Sequence, residues 1–159
     1  MKKVPTDFRR VTLMANRLEP ALTVYRDILG MDVFYDDEVR VAVPGRPADA
    51  PKAAARLVIL KCNDPYIGML GLLHLLEEQF EPLRPGDATT EIRAGEAMLV
   101  MQHDNVETAF ERIRDVPGVR IVDEPRVSEF HRGDSVMRVE GFRFFDPNGY
   151  FVDLNQFVE

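Results

Sequence analysis

Short segments of alternating apolar and polar residues, joined by two segments with helical spacing, predict the elements of this chain. In the first half we expect a strand, a helix and further strands, over 8–15, about 18–28, 31–37, 39–43 and 56–62. In the second half we expect the same order, over 97–103, about 106–115, 119–124, 135–145 and 150–156. We also predict a surface loop from Pro44 to Ala55 and a short helix around Leu70 to Gln79.

The two halves also match each other residue by residue. Val11 aligns with Leu99, an offset of 88 residues (99 − 11), and the match continues without a gap through the helix. Both copies carry the same end signals: predicted N-caps at Asn16 and Asp104, acidic residues three positions later at Glu19 and Glu107, and glycines at Gly30 and Gly118. The repeat predicts an α+β protein of two diverged copies of one module.

The strands have one purely apolar face, which suits packing against helices, and a second face of mixed character. A mixed face on a sheet already covered by helices suggests a binding surface. If Asp146 to Gly149 form the last hairpin loop, Phe145 pairs with Tyr150. That register puts Phe142 opposite Asp153 and Arg138 on the face of Asp153.

Composition narrows the class of partner. The net charge is −7 and the pI is near 5.0, so nucleic acid and anionic membrane surfaces are unfavourable partners. Cys62 is the sole cysteine, which excludes an intrachain disulfide and a cysteine-cluster metal site. The N-terminal sequence has no signal-peptide pattern and no apolar stretch is long enough to span a bilayer, so we expect a cytosolic protein.

Two segments resemble one known family. Leu22 to Met31 is similar to the "FYrdvLG" signature of the vicinal-oxygen-chelate superfamily, which includes glyoxalase I, bleomycin-resistance proteins and extradiol dioxygenases. Phe144 to Leu154 resembles the closing "F-x-DPdGnxxEl" hairpin of the same superfamily. The resemblance implies one domain over 1–159, with βαβββ modules at about 7–81 and 97–159 and a linker at 82–96. It further implies a cupped, partly open mixed β-sheet barrel with the helices outside, and a homodimer.

The resemblance also locates the superfamily's metal-ligand positions in this chain. They fall on Arg10, Met98, Asp153 and, in some members, Ile59. A divalent metal needs several O or N donors, and an arginine cannot ligate one. We therefore expect neither metal nor cofactor, with one alternative, a relocated site that uses His74, His103 or His131. The simpler interpretations of these histidines are a satisfied core or interface residue, a capping residue and a surface residue, respectively.

The superfamily's pocket would bring Arg10 and Asp153 face to face. Two interpretations stay open: an ion pair that fills the former metal position, or recognition of a ligand oxyanion by Arg10 with Asp153 as orienting group or base. The resemblance supports a metal-independent binder of a small anionic or polar-aromatic ligand. The alternatives are a divergent lyase, isomerase or dioxygenase with a displaced metal, or an interaction module with a closed pocket. The candidate ligand-binding residues are Arg10, Thr12, Met98, Gln102, Arg138, Phe142, Phe144, Phe151 and Asp153.

Overall fold

A strand, a helical segment and three further strands make up each half of the chain in a computed structural model, which describes residues 3–83 and 91–159. The chain divides into two compact units, Met1–Glu81 and Pro82–Glu159. Part of the predicted linker, residues 84–90, lies outside the described residues. Within the described residues, none of the helices has the length and apolar character that crossing a bilayer requires.

Unit 1 is a four-stranded mixed sheet with one helical segment. Its elements are β1 (Arg10–Met14), α1 (Leu18–Leu22, continued by a π-helix over Thr23–Ile28), β2 (Asp32–Val41), β3 (Ala53–Lys61) and β4 (Met69–Leu75). The strand order is β1-β4-β3-β2, with β1 and β4 parallel and the other pairs antiparallel. Alternate strand residues such as Leu13, Val58 and Leu72 are buried, as are the apolar residues of the helical segment, because each strand has one apolar face.

Unit 2 repeats this arrangement. Its elements are β5 (Met98–Gln102), α2 (Val106–Ile113), β6 (Arg120–Arg132), β7 (Ser135–Phe145) and β8 (Phe151–Val158). The strand order is β5-β8-β7-β6, and β5 and β8 are parallel. Phe110 of α2 meets Phe142 of β7 edge-on, with ring centres 5.2 Å apart, which fixes the helix over that face of the sheet.

The structure confirms the repeat and the α+β class, but three predicted elements were wrong. Leu70 to Gln79 is not a short helix, because Met69–Leu75 forms β4 between β1 and β3. A strand buried on both sides reads as a continuous apolar run, and periodicity cannot distinguish it from a buried helix. The separate strands predicted at 31–37 and 39–43 form one strand, β2, and the loop expected to reach Ala55 ends where β3 begins at Ala53.

The helices begin where predicted, at Leu18 and Val106, and the predicted glycines follow their ends. Gly30 and Gly118 have φ angles of 75° and 86°, a conformation that glycine adopts without strain. The N-caps lie one residue later than predicted, at Arg17 and Asn105, and the Asn105 side chain accepts a hydrogen bond from the Thr108 N–H.

Asn16 does not cap α1, because its side chain binds the backbone of Phe80, which follows β4. Its side-chain amide donates to the Phe80 carbonyl and accepts from the Phe80 N–H, both at 2.8 Å. Phe80 packs against a buried cluster formed by Val43, Ala55, Leu73 and Leu75, on the sheet face opposite to that of Leu13 and Leu72. The Asn16 side chain therefore fixes the segment that covers this second apolar cluster.

We predict that Asn16→Ala lowers the free energy of unfolding by about 1–3 kcal/mol, because it leaves the Phe80 N–H and carbonyl without their partners. Urea denaturation followed by circular dichroism measures the change. The control is Asn63→Ala at an exposed loop position, with an expected change below about 0.5 kcal/mol. Equal effects of the two substitutions would contradict the role given to Asn16.

Gln156 and two glutamates join α2 to the sheet in unit 2. The Gln156 side chain accepts from the Val106 N–H at 3.1 Å and donates to Glu140 at 2.6 Å. Partial loss of hydration, then the hydrogen bond to Glu140 and its negative charge, raise the pKa of Glu107 above its ordinary value of 4.5. The folded state therefore holds a proton on Glu107 more tightly than the unfolded chain does.

This raised pKa gives a stability effect of defined sign. The contribution of Glu107 is favourable below pH 4.5 and is lost as the pH rises through the higher pKa of the folded state. We predict that Glu107→Gln is more stable than the wild type above this window and equally stable below it. Thermal denaturation between about pH 4 and pH 8 tests this, with the exposed Glu124→Gln as control. A stability difference between Glu107→Gln and the wild type that does not change with pH would contradict the raised pKa of Glu107.

Candidate functional site

The loop between β7 and β8 sets the register of these two strands, and so determines which of their side chains lie on the same face of the sheet. The buried Asp146 carboxylate accepts hydrogen bonds from the N–H groups of Asn148 (2.8 Å) and Tyr150 (2.9 Å). Gly149 has a φ of 89°, and the strands close with Phe145 opposite Phe151. The predicted pairing of Phe145 with Tyr150 was therefore wrong by one residue, because the loop spans 146–150 and includes a left-handed glycine.

A shift of one residue moves every side chain of a strand to the other face. Arg143, and not Phe142, lies opposite Asp153. Phe142 lies opposite Leu154 and Phe144 opposite Val152, on the side that packs against α2. These two rings are not the aromatic neighbours that we expected beside the Asp153 carboxylate.

Arg138 was also placed on the wrong face. It lies opposite Val158 and forms an exposed ion pair with Glu129, with Nε and Oε1 3.0 Å apart. This pair is a cross-strand contact on the side of Phe142 and Phe144. Arg138 therefore does not share the face of Asp153, and Arg143 takes that place.

The face of the unit 2 sheet that carries Asp153 forms an open cavity of about 490 Å³. Residues of all four strands line it: Val100, Asp123, Arg126, Ser128, Phe130, Met137, Val139, Gly141, Phe142, Arg143, Asp153, Asn155 and Phe157. The side chains of Phe130, Met137 and Phe157 are about half exposed, so a ligand could cover apolar surface that water now contacts.

An ion pair between Asp123 and Arg143 forms the charged centre of this cavity. The Asp123 carboxylate accepts from the Arg143 backbone N–H at 2.9 Å and from its Nε at 2.7 Å, and it also accepts from Nη2. These bonds, with a smaller contribution from the charge of Asp153, raise the pKa of Arg143. The exposed Arg126 lies 3.7 Å from the same carboxylate. Asp123 thus fixes the plane of the Arg143 guanidinium.

Asp153 and Asn155 stand beside this ion pair on β8. Asn155 donates to Asp153 over 3.3 Å, a weak bond that leaves most of the carboxylate's capacity to accept hydrogen bonds unused. Gly141 lies opposite Asn155 on β7, and a Cβ there would come within 3.0 Å of the Asn155 Cβ. The Leu154 carbonyl oxygen would be closer still, at 2.7 Å, so the glycine lets β7 approach the β8 backbone beside Asn155.

The other predicted site residues are distributed over both units. Met98 and Gln102 lie on the same side of β5 as Val100 but do not line the cavity, and Phe151 packs edge-on against Phe145. In unit 1, Thr12 lies beside Gly71. The pairing of Arg10 with Asp153 would join the two units and stays a prediction.

Sequence reasoning missed Asp123, Arg126 and Arg143 as cavity residues. Asp123 and Arg126 lie on β6, where the pairing with β7 is irregular between Ile121 and Arg126, so simple alternation does not assign their faces. The sequence did contain a signal for Arg143. Hairpin loops that include a left-handed glycine are common, and such a loop over 146–150 places Arg143 opposite Asp153.

Strand pairing also corrects one of the metal-ligand positions that the resemblance to the superfamily implied. Asp153 lies opposite Val100 on β5, and the equivalent of Val100 in unit 1 is Thr12, which lies opposite Gly71 on β4. The counterpart of Asp153 is therefore Gly71, and the expected Ile59 instead corresponds to Arg143, since Ile59 lies opposite Gly71. A Cβ on Gly71 would lie 2.7 Å from the Thr12 Oγ1.

These positions do not fit a divalent metal. They supply a guanidinium at Arg10, a thioether at Met98, one carboxylate at Asp153 and no side chain at Gly71. Within 3–83 and 91–159, no group of three or more histidine, cysteine, aspartate or glutamate residues is arranged to hold a metal ion.

None of the three histidines occupies one of these positions. The Nδ1 atom of His74 is 2.8 Å from the Ala15 carbonyl, a bond between the end of β1 and β4. His103 accepts from the Asn105 N–H at 3.0 Å beside the N-terminus of α2, and His131 is exposed on the β6–β7 hairpin.

Comparison with known proteins identifies relatives of the fold. The family model described as the Glyoxalase/Bleomycin resistance protein/Dioxygenase superfamily matches residues 8–154. A comparison with curated protein sequences finds no significant match. A glyoxalase family protein from Bacillus cereus has a similar structure, with a TM-score of 0.70, 14% identity and coverage of 99% of this chain and 98% of that chain.

Two further solved structures share the fold. TnmS3, an antibiotic binding protein from Streptomyces, gives a TM-score of 0.54 at 18% identity and covers 99% of this chain and 100% of that chain. A glyoxalase I mutant from Zea mays gives 0.56 at 17% identity, covering 93% of this chain and 46% of that chain. At these identities the likeness establishes the fold.

We predict that Asp123→Asn lowers the free energy of unfolding by about 1–2 kcal/mol, because it leaves a partly buried guanidinium without its carboxylate. The matched control, Glu129→Gln, breaks the exposed ion pair with Arg138 between the same two strands and should change stability by less than about 0.5 kcal/mol. Urea denaturation of both variants measures the difference. If the control costs as much as Asp123→Asn, the ion pair with Arg143 is no more than a surface contact.

Proposed function

Because this chain belongs to the glyoxalase/bleomycin resistance protein/dioxygenase superfamily, we propose that it binds a small polar-aromatic molecule without a metal ion. The binding site is the cavity on the sheet of unit 2. The observation that carries the proposal is the arrangement of Asp153, Asn155 and the fixed Arg143 beside an exposed apolar surface.

The apolar part of the cavity supports an aromatic ligand. Phe130, Met137 and Phe157 expose about half of their surface there. Covering about 100 Å² of apolar surface contributes about 2.5 kcal/mol before the entropic cost of binding is subtracted. A ring on this surface would therefore gain a useful part of its affinity from contact with these side chains.

The polar part supports a ligand that donates at least one hydrogen bond. Asp153 has unused acceptor capacity, while the Arg143 guanidinium is held by Asp123 and Asn155 has both a donor and an acceptor. The cavity has no net charge from its lining, because its two carboxylates are balanced by two guanidiniums: Asp123, Asp153, Arg126 and Arg143. A neutral hydroxyl or amine on the ring suits this environment better than a second carboxylate does.

The donor set supports the proposed metal independence. Arg10, Met98 and Gly71 cannot replace the imidazole or carboxylate ligands that a divalent metal requires. One carboxylate does not hold such an ion on its own. The neighbouring structure described as an antibiotic binding protein supports a binding role for this fold.

One observation favours a second candidate, a divergent lyase, isomerase or dioxygenase. Asp153 retains a carboxylate at the superfamily's ligand position and lies beside a fixed guanidinium. A carboxylate so placed could accept a proton from a bound substrate. Turnover of a ligand, rather than reversible binding, would distinguish this candidate.

By analogy with the superfamily, we also propose a homodimer located in the cytosol. Size-exclusion chromatography with light scattering at micromolar concentration tests the assembly, because a dimer has twice the 18.2 kDa mass of the chain. A mass of one chain under these conditions would contradict this part of the proposal.

The ligand-binding proposal is tested with pairs of phenols and their methyl ethers, which differ in the hydroxyl donor. We expect phenols to shift the amide NMR signals of residues around Asp153 and their methyl ethers to bind about tenfold more weakly. Asp153→Ala should weaken phenol binding by about tenfold, because the acceptor is removed. Addition of EDTA should leave the affinity unchanged.

The matched control is Asp134→Ala, which removes an exposed carboxylate from the tip of the β6–β7 hairpin. Its phenol affinity should equal that of the wild type. Loss of binding with EDTA, or one tightly held Mn, Fe, Ni or Zn per chain that Asp153→Ala releases, would overturn the proposal in favour of a metal enzyme.

A further inference from the structure

We propose that a second cavity, at the start of β1 in unit 1, binds an aromatic carboxylate. This cavity of about 340 Å³ shares no lining residue with the one in unit 2, and its lining includes Asp7, Phe8, Arg9, Arg10, Phe34 and Tyr66. The buried Met69 also contributes to its lining. Two cationic side chains and three aromatic rings thus lie around one small volume.

The position of Arg9 is fixed by contacts on both its backbone and its side chain. Its carbonyl accepts from the Met69 N–H at 3.1 Å, and its guanidinium carbon lies 4.4 Å from the centre of the Tyr66 ring. Asp64 in turn fixes the loop of Tyr66, because its carboxylate accepts from the N–H groups of Tyr66 (2.8 Å) and Ile67 (2.9 Å). The stacked cation and ring are therefore in place before a ligand arrives, which lowers the entropic cost of binding.

Arg10 reaches the same cavity across a glycine. It lies opposite Met69, and its Cδ is 3.3 Å from the point where a Cβ on Gly71 would be. A larger residue at 71 would displace the stem of Arg10. Within the described residues of unit 1, neither Arg9 nor Arg10 has a carboxylate within the 4.0 Å of an ion pair.

The charge and shape of this cavity identify the ligand class. Two guanidiniums, which are always charged, outweigh the one carboxylate of Asp7, although the whole protein carries a net charge of −7. A guanidinium fork matches a carboxylate by two parallel hydrogen bonds. The half-exposed rings of Phe34 and Tyr66 provide apolar contact for a ring attached to that carboxylate.

Benzoate is the probe for this site, in the full-length protein observed by amide NMR. We expect its shifts to concentrate at Arg9, Arg10, Phe34 and Tyr66. Arg9→Gln and Arg10→Gln should each weaken binding by about tenfold, because each loses a charged hydrogen bond. Arg132→Gln, at an exposed position of the unit 2 hairpin, removes the same charge and should change the affinity by less than about twofold.

Benzamide has the same ring without the negative charge, so it should bind about tenfold more weakly than benzoate. Equal binding of the two compounds, or benzoate shifts centred on Asp153 and Arg143, would overturn the proposal. The two proposals can be tested separately, because Arg9 lines only the cavity of unit 1 and Asn155 only that of unit 2. Arg9→Gln should leave phenol binding intact, and Asn155→Ala should leave benzoate binding intact.

Discussion

The Asp146 carboxylate, buried in the loop between β7 and β8, sets the register on which the cavity of unit 2 depends. It accepts two backbone hydrogen bonds, and Gly149 supplies the left-handed residue that lets the loop close with five residues. A loop shorter by one residue would send Arg143 and Asp153 to opposite sides of the sheet. The chemistry of the cavity therefore rests on a turn that does not itself line the cavity.

The two copies of the module differ at a pair of positions that carries charged side chains in the unit 2 cavity. The cross-strand pair Arg143 and Asp153 in unit 2 corresponds to Ile59 and Gly71 in unit 1. On the same side of its sheet, unit 1 carries a closed apolar cluster that Phe80 covers. Both copies have the same strand order, but only in the second do oppositely charged side chains, Arg143 and Asp153, lie opposite each other on the last two strands.

The repeat, the fold class and most strands could be predicted from the sequence, because the matched helices and glycines recur at one offset. The strand β4 could not, because both of its faces are buried, so it has no polar alternation to reveal it. For the site, the sequence indicated Asp153 correctly as a residue on the mixed face. Its partners depend on a turn of one extra residue and on irregular pairing in β6, and neither is determined by composition or periodicity.

The space around Gly71 restricts which residues position 71 can carry. Both γ atoms of Thr12, at 2.7 and 3.2 Å, and the stem of Arg10 occupy the space that any side chain at position 71 would need. A carboxylate could fit there only together with a smaller residue at 12 and a shift of Arg10. Each of these changes would disturb packing in unit 1 before a carboxylate at position 71 could be accommodated.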